Sequence, residues 1–193
     1  NTNVKSFAEY LKDFINFLGF SKVILLGNSL GGHVGLLYTK LHPSKVKALV
    51  ITGSSGLYES AMGTGYTKRS DYEVMKSKVQ EVFYDPKVAT KELVDQVYAD
   101  VNNRSKLIKT LAIAKSAIRH NMATDLPNIN IPTCIVWGEK DIVTPPDVGR
   151  EFNKLLPASD LFWIDKCGHA PMMEHPETFN KIVFDWLNKR DFK

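Results

Sequence analysis

Between the apolar run Val23-Ile24-Leu25-Leu26 and a helix-forming stretch that begins near Leu30 stands the pentapeptide Gly27-Asn28-Ser29-Leu30-Gly31. Two glycines flanking a serine at this spacing, placed between a strand and a helix, predict a very sharp turn. Side chains two residues before and two after the serine would collide there, and glycine at 27 and 31 removes them. Such a turn lifts the Ser29 hydroxyl clear of the sheet, above the N-terminus of the next helix. The backbone N–H groups of that terminus, which begins at Leu30, can then stabilise a developing negative charge. Ser29 is therefore the candidate nucleophile. The pentapeptide alone says little, since ordinary strand-to-helix turns also carry serines; its setting gives it weight.

The rest of the chain has the grammar of an α/β fold. Val4, Phe7, Leu11, Phe14, Ile15 and Leu18 recur at helical spacing and stop at Gly19. The run Val23 to Leu26 has the pattern of a strand covered on both faces in a parallel sheet. A helix from about Leu30, with Val34, Leu37, Tyr38 and Leu41 inward, ends before Pro43, and Val46 to Thr52 is the next strand. Alternation of helix and strand through short connections predicts a parallel sheet flanked by helices. Residues 55 to 123 break the alternation. After a loop marked by Gly53, Gly56, Gly63 and Gly65 come three helical patterns: Tyr72 to Phe83, Thr90 to Val101 and Lys106 to His120. Asp85-Pro86 and Asn102-Asn103 separate them. A helical insertion between two sheet strands reads as a cap over a site. This divides the chain into a core of residues 1–54 and 124–193 and a cap of residues 55–123. Met62, Met75 and Met122 are candidates to line a pliable apolar pocket, or simply to fill the small lobe. Strands resume at Thr133 to Trp137 and Leu161 to Ile164, and Pro176 to Leu187 closes as a helix.

Composition narrows the function classes. The chain has 193 residues, 44% of them hydrophobic, enough for one substantial core. Its apolar runs are too short to span a bilayer and no secretory signal pattern opens it, so a cytoplasmic location is expected. The net charge is +4, with most of the excess in the cap. There Lys68, Arg69, Lys76, Lys78 and their neighbours alternate with acids and lack interleaved aromatics. That is the pattern of a solvated helical surface rather than a nucleic-acid interface. Cys134 and Cys167 fall at opposite ends of adjacent predicted strands, too far apart to bridge, and read as buried thiols. No cluster has metal-ligand spacing and no glycine-rich nucleotide loop occurs, so neither a metal nor a cofactor is implied.

A serine nucleophile needs a base and a group to orient that base. Gly138-Glu139-Lys140-Asp141 follows the strand ending at Trp137, and Asp165-Lys166-Cys167-Gly168-His169 follows the strand ending at Ile164. Loops at the carboxyl ends of parallel strands share one edge, so Ser29, Asp141 and His169 can converge there. His169 would take the Ser29 proton, and Asp141 would fix the imidazole tautomer. Asp165 is the rival acid; its nearness to His169 along the chain favours a turn role and leaves Asp141 preferred. His33 and His42 read as packed or helix-end residues, and His175 as the start of the last helix. His120, at the end of a cap helix, could face the pocket.

The elbow, the G-x-x-D loop and the Gly168-His169-Ala170-Pro171 loop together resemble the α/β-hydrolase superfamily, in its capped branch, along essentially the whole chain. Gly27 to Gly32 and the cap segments Phe83-Tyr84-Asp85-Pro86 and Glu92-Leu93-Val94 are similar to hydrolases that cleave carbon–carbon bonds of meta-ring-fission products. Those enzymes usually carry tryptophan directly after the catalytic histidine. Ala170-Pro171 stands here instead, as in the broader esterase pattern. The resemblance implies a serine hydrolase acting on a small carboxylic ester or related acyl compound through an acyl-enzyme, with a carbon–carbon bond hydrolase as the alternative. It places Asn28, Val143 and Ala170, with His120, near the substrate. A substrate carboxylate would fall to Arg104 or Arg119. It also implies strands and an oxyanion N–H ahead of the elbow that this sequence does not contain. The missing sheet segment is expected from upstream sequence or another chain; without it the chain could be an inactive fragment or a binding protein on the same scaffold.

Overall fold

The structure is a computed structural model that describes residues 3–60 and 68–190. The elements are α1 (Val4–Phe17), β1 (Val23–Asn28), α2 (Leu30–Leu41), β2 (Val46–Thr52), α3 (Tyr72–Gln80), α4 (Lys91–Asn102), α5 (Arg104–Arg119), β3 (Thr133–Gly138), α6 (Pro146–Leu155), β4 (Ser159–Ile164), α7 (Pro171–Glu174) and α8 (Pro176–Asn188). Every strand pair is parallel, and the spatial order β1-β2-β3-β4 follows the chain. Each connection must therefore cross over a face of the sheet; the crossover helices α2 and α6 share one face with α1, and α8, which follows the last strand, covers the other.

The two central strands show the resulting alternation. Leu49 and Ile51 of β2, with Ile135 and Trp137 of β3, pack against α1, α2 and α6 through Ile15, Leu36, Tyr38 and Phe152. Ala48, Val50, Cys134 and Val136 point the other way, onto Phe179 and Trp186 of α8. Both cysteines are free and fully buried there. Burial pushes the Cys134 thiol up to about 12 and raises that of Cys167 further, so both stay protonated and unreactive at neutral pH.

The edge strand departs from the expected two-sided burial. Val23 and Leu25 pack on the α1–α2 side, whereas Ile24 and Leu26 are 41% and 55% exposed. The helix on their side, α8, lies over β3 and β4, so nothing among the described residues covers them. An apolar, unpaired strand edge is a surface that proteins normally cover.

The insertion between β2 and β3 is built from capped helices. Asp71, Thr90 and Asn103 each accept a backbone N–H in the first turn of α3, α4 and α5. Val79, Phe83 and Val94 form a small cluster with Ala170, which follows His169. The end of α5 behaves differently: Ala117 and Met122 join the core beside α1 and α2. Met122 is thus a core residue, Met75 faces a cavity, and Met62, with Gly63 and Gly65, lies outside the described residues.

Candidate active site

At the turn itself Ser29 has φ 53° and ψ −119°, one of two non-glycine residues with positive φ among those described. Strain of this kind persists only where the surroundings hold it. Here the Ser29 N–H donates to the Thr52 carbonyl at 3.0 Å, and the Ser29 carbonyl accepts from His33 and Ser55 N–H groups. The crowding expected at both glycines occurs at one of them. A Cβ on Gly27 would stand 2.3 Å from the Gly31 carbonyl carbon, whereas one on Gly31 would meet nothing within 4 Å. The second tight position is Gly32, where a Cβ would lie 2.5 Å from Ser54 Oγ. Although Ser29 occupies the N-cap of α2, its hydroxyl makes no capping hydrogen bond. A serine there usually satisfies a first-turn N–H. This one leaves both its hydroxyl and the helix terminus available.

Asp141 and His169 meet at the same edge of the sheet. His169 Nδ1 lies 2.9 Å from Asp141 Oδ2, and both side chains are buried. The carboxylate is fully engaged. Its Oδ1 accepts from the Val143 and Thr144 N–H groups at 2.8 and 2.9 Å, and its Oδ2 also accepts from Thr144 Oγ1 at 2.8 Å. The loop carrying it is anchored by Trp137, whose indole N–H donates to the Thr144 carbonyl. The rival Asp165 is exposed and binds the N–H of Lys166. The aspartate and histidine loops are also joined directly: Lys140 N–H donates to the Cys167 carbonyl, and a Cβ on Gly138 would stand 2.1 Å from the Gly168 carbonyl oxygen.

Two contacts bring His169 to the end of β2, where Ser29 is also held. Asn28 Nδ2 donates to the carbonyls of both Thr52 and His169, at 3.0 Å each. Gly53, at φ +49°, lies so close to the imidazole that an added Cβ would stand 2.8 Å from Nδ1. Asn28 therefore ties the histidine loop to the sheet, in addition to lining the cavity. Gly53→Ala combines backbone strain with displacement of His169. It is expected to destabilise the fold by about 1–3 kcal/mol and to lower any His169-dependent turnover about a hundredfold. Parallel thermal melts and rate measurements check both.

Against His169 opens a cavity of about 360 Å³. Asn28, Ala170 and Met173 form its floor, and Met75, Val79, Leu93 and Val97 its wall on the insertion; Lys78, the one lysine or arginine among the described lining residues, is paired with Glu81. Val143, Arg119 and His120 do not line it. Val143 is buried with its carbonyl accepting from Ser60, and Arg119 and His120 border a separate hollow beside the start of α1.

His120 instead pairs with the buried His33, Nδ1 to Nε2 at 2.9 Å. Burial, and secondarily the neighbouring His120, lowers His33 to about 4. The folded state thus binds fewer protons than the unfolded one between that value and the ordinary 6.5, and stability falls as pH drops through this window. The loss amounts to about 3 kcal/mol. Denaturant titrations across that range should show an acid limb shallower by this amount in His33→Asn. Of the other histidines, His42 packs against Tyr38 with the rings tilted, and His175 contacts the Lys166 carbonyl.

A helix-covered parallel sheet with a strained serine turn and an Asp–His pair on the loops at its carboxyl edge defines an α/β hydrolase. The chain belongs to the hydrolase family described as serine aminopeptidase, S33, which it matches over residues 1–176. It is 53% identical to an α/β hydrolase enzyme from the metagenome of sediments from the lagoon of Mar Chica, Morocco, with a TM-score of 0.78, covering 99% of this chain and 72% of that one. It is 27% identical over 194 residues to the 2-hydroxy-6-oxononadienedioate/2-hydroxy-6-oxononatrienedioate hydrolase of a Pseudomonas species, covering 94% of this chain and 69% of the relative. The corresponding hydrolase of Cupriavidus pinatubonensis is 29% identical, over 92% of this chain and 66% of its own length. The chain thus spans about two thirds of these curated relatives. A meta-cleavage product hydrolase from Pseudomonas fluorescens, 19% identical with a TM-score of 0.83, shares the fold, over 98% of this chain and 73% of that one. No helix of the described residues is long and apolar enough to cross a membrane.

Proposed function

We propose that the protein is a serine hydrolase that cleaves a small carboxylic ester or related acyl compound through an acyl-enzyme. The observation that carries this reading is the buried 2.9 Å contact between His169 Nδ1 and Asp141 Oδ2, at the sheet edge that also bears the uncapped Ser29. Ser29 Oγ attacks the acyl carbon while His169 Nε2 takes its proton. The same imidazolium then protonates the leaving group, and a water activated by His169 releases the acid. Asp141, held by four hydrogen bonds, stabilises the imidazolium and keeps Nδ1 as the donor. The N–H of Leu30, at the start of α2, faces the developing oxyanion. A second donor and a strand along the open edge of β1 come from upstream sequence or another chain; among the described strands β1 pairs only with β2, and exposed Ile24 and Leu26 leave the sheet face beside that edge uncovered, which supports this. The helical insertion caps the site, and the largely apolar cavity takes the hydrocarbon part of the substrate.

Cleavage of a carbon–carbon bond in a ring-fission dienoic acid is the second reading, favoured by the curated relatives above. Against it stand Ala170 after His169 and a cavity in which the single lysine or arginine among the described lining residues, Lys78, is paired with Glu81. Turnover of a p-nitrophenyl ester series, compared with ring-fission dienoates, tests the choice. Short and medium esters are expected to be turned over at least tenfold more efficiently; the reverse preference would establish the second reading.

A further inference from the structure

Glu174, the last residue of α7, has no part in the reaction above, yet its carboxylate joins two segments of the site. Its Oε1 accepts from the Gly168 N–H at 2.6 Å and lies 3.7 Å from Cys167 Sγ. Its Oε2 accepts from the Tyr84 N–H at 2.7 Å and reaches that of Asp85 at 3.4 Å. One oxygen thus serves the histidine loop and the other serves the turn after α3. A second seam runs alongside: the His169 N–H donates to the Val82 carbonyl at 2.9 Å. Gly168 permits this approach, since a Cβ there would stand 2.6 Å from Val82 O and 3.0 Å from Tyr84 N. Val82 and Phe83, carried on that turn, are part of the cavity wall.

We propose that Glu174 is a positioning residue whose carboxylate clamps the His169 loop to the 82–85 turn, so that the base and the wall of the acyl cavity are held as one unit. The proposal rests on reading His169 as the base. A carboxylate suits the task because both of its oxygens accept, and its charge shortens and strengthens bonds from backbone N–H groups. A glutamine has one accepting oxygen, and its amide group would confront N–H donors on the other side.

The test measures amide hydrogen exchange at Gly168 and Tyr84, together with the rate at which a fluorophosphonate labels Ser29, in wild type, Glu174→Gln and Glu174→Ala. Glu174→Ala is expected to speed exchange of both amides at least about tenfold while Val50 and Val136 in the central strands stay protected. It is also expected to slow Ser29 labelling about tenfold, because the base is no longer held in place. Glu174→Gln should retain protection at one amide and lose it at the other, an asymmetry that a general loss of stability would not produce. Wild-type exchange at both amides in Glu174→Ala would overturn the clamp, as would freed amides with labelling within twofold of wild type. If Glu174→Ala does not fold, Glu174→Gln decides alone: both amides protected and wild-type labelling overturn the proposal. If wild type itself is not labelled at Ser29, the reading of His169 as base fails, and the clamp is judged by exchange at the two amides.

Discussion

Replacing Ser29 by alanine is expected to lower kcat for an ester about 10⁶-fold, the scale seen when a serine nucleophile is removed from a working constellation. The melting temperature should stay within a few degrees of wild type. The two expectations separate because the interactions that hold the turn are backbone ones. The Ser29 N–H binds Thr52, and its carbonyl accepts from His33 and Ser55; alanine keeps all three. The hydroxyl caps nothing, so its loss removes chemistry with little effect on stability. Steady-state rates and a thermal melt on the same preparation check this. A variant that melts far below wild type would mean that the serine side chain serves the fold.

Asp141→Asn should cost about 10⁴-fold in kcat, and the local hydrogen bonds show why. The oxygen facing Val143 N–H and Thr144 N–H must remain an acceptor. An asparagine at 141 is thereby forced to turn its NH₂ group toward Thr144 Oγ1 and His169 Nδ1. The histidine must then accept at Nδ1 and carry its proton on Nε2, the tautomer that cannot take a proton from Ser29. Because this fault is one of tautomer rather than of placement, fluorophosphonate labelling of Ser29 should slow together with kcat, while KM changes little. Imidazole nitrogen chemical shifts measured at neutral pH should report the exchanged tautomer.

Much of this arrangement was legible in the sequence because it follows from local periodicity and from loop order along a parallel sheet. The strand at Val46 to Thr52 has the predicted bounds. The loops after β3 and β4 bring Asp141 to His169, as parallel topology requires. What escaped depends on contacts between distant residues. The helix α6 carries Val148, Phe152 and Leu155 at helical spacing, but Gly149 interrupts the pattern and Pro145-Pro146 reads as loop. Gly149 is there for a tertiary reason: a Cβ would stand 2.9 Å from the Trp137 ring. The exposure of Ile24 and Leu26 is likewise invisible in a run of apolar residues, which looks the same whether one face or two are covered. Arg119 and His120 share a stretch with the insertion helices, and only the packing of the end of α5 on the core turns them away from the cavity. Glu174 gave no signal of its own, since the donors it gathers are backbone N–H groups from two separate segments.

We have proposed that Ser29 is a nucleophile activated by His169. The most direct measurement is mass-spectrometric mapping of the adduct formed by a fluorophosphonate on the protein, repeated with His169→Ala. One adduct is expected, on the peptide containing Ser29, formed at least about a thousandfold more slowly when the imidazole is gone. An adduct on any other residue, no adduct at all, or labelling of Ser29 at an unchanged rate in His169→Ala would contradict it.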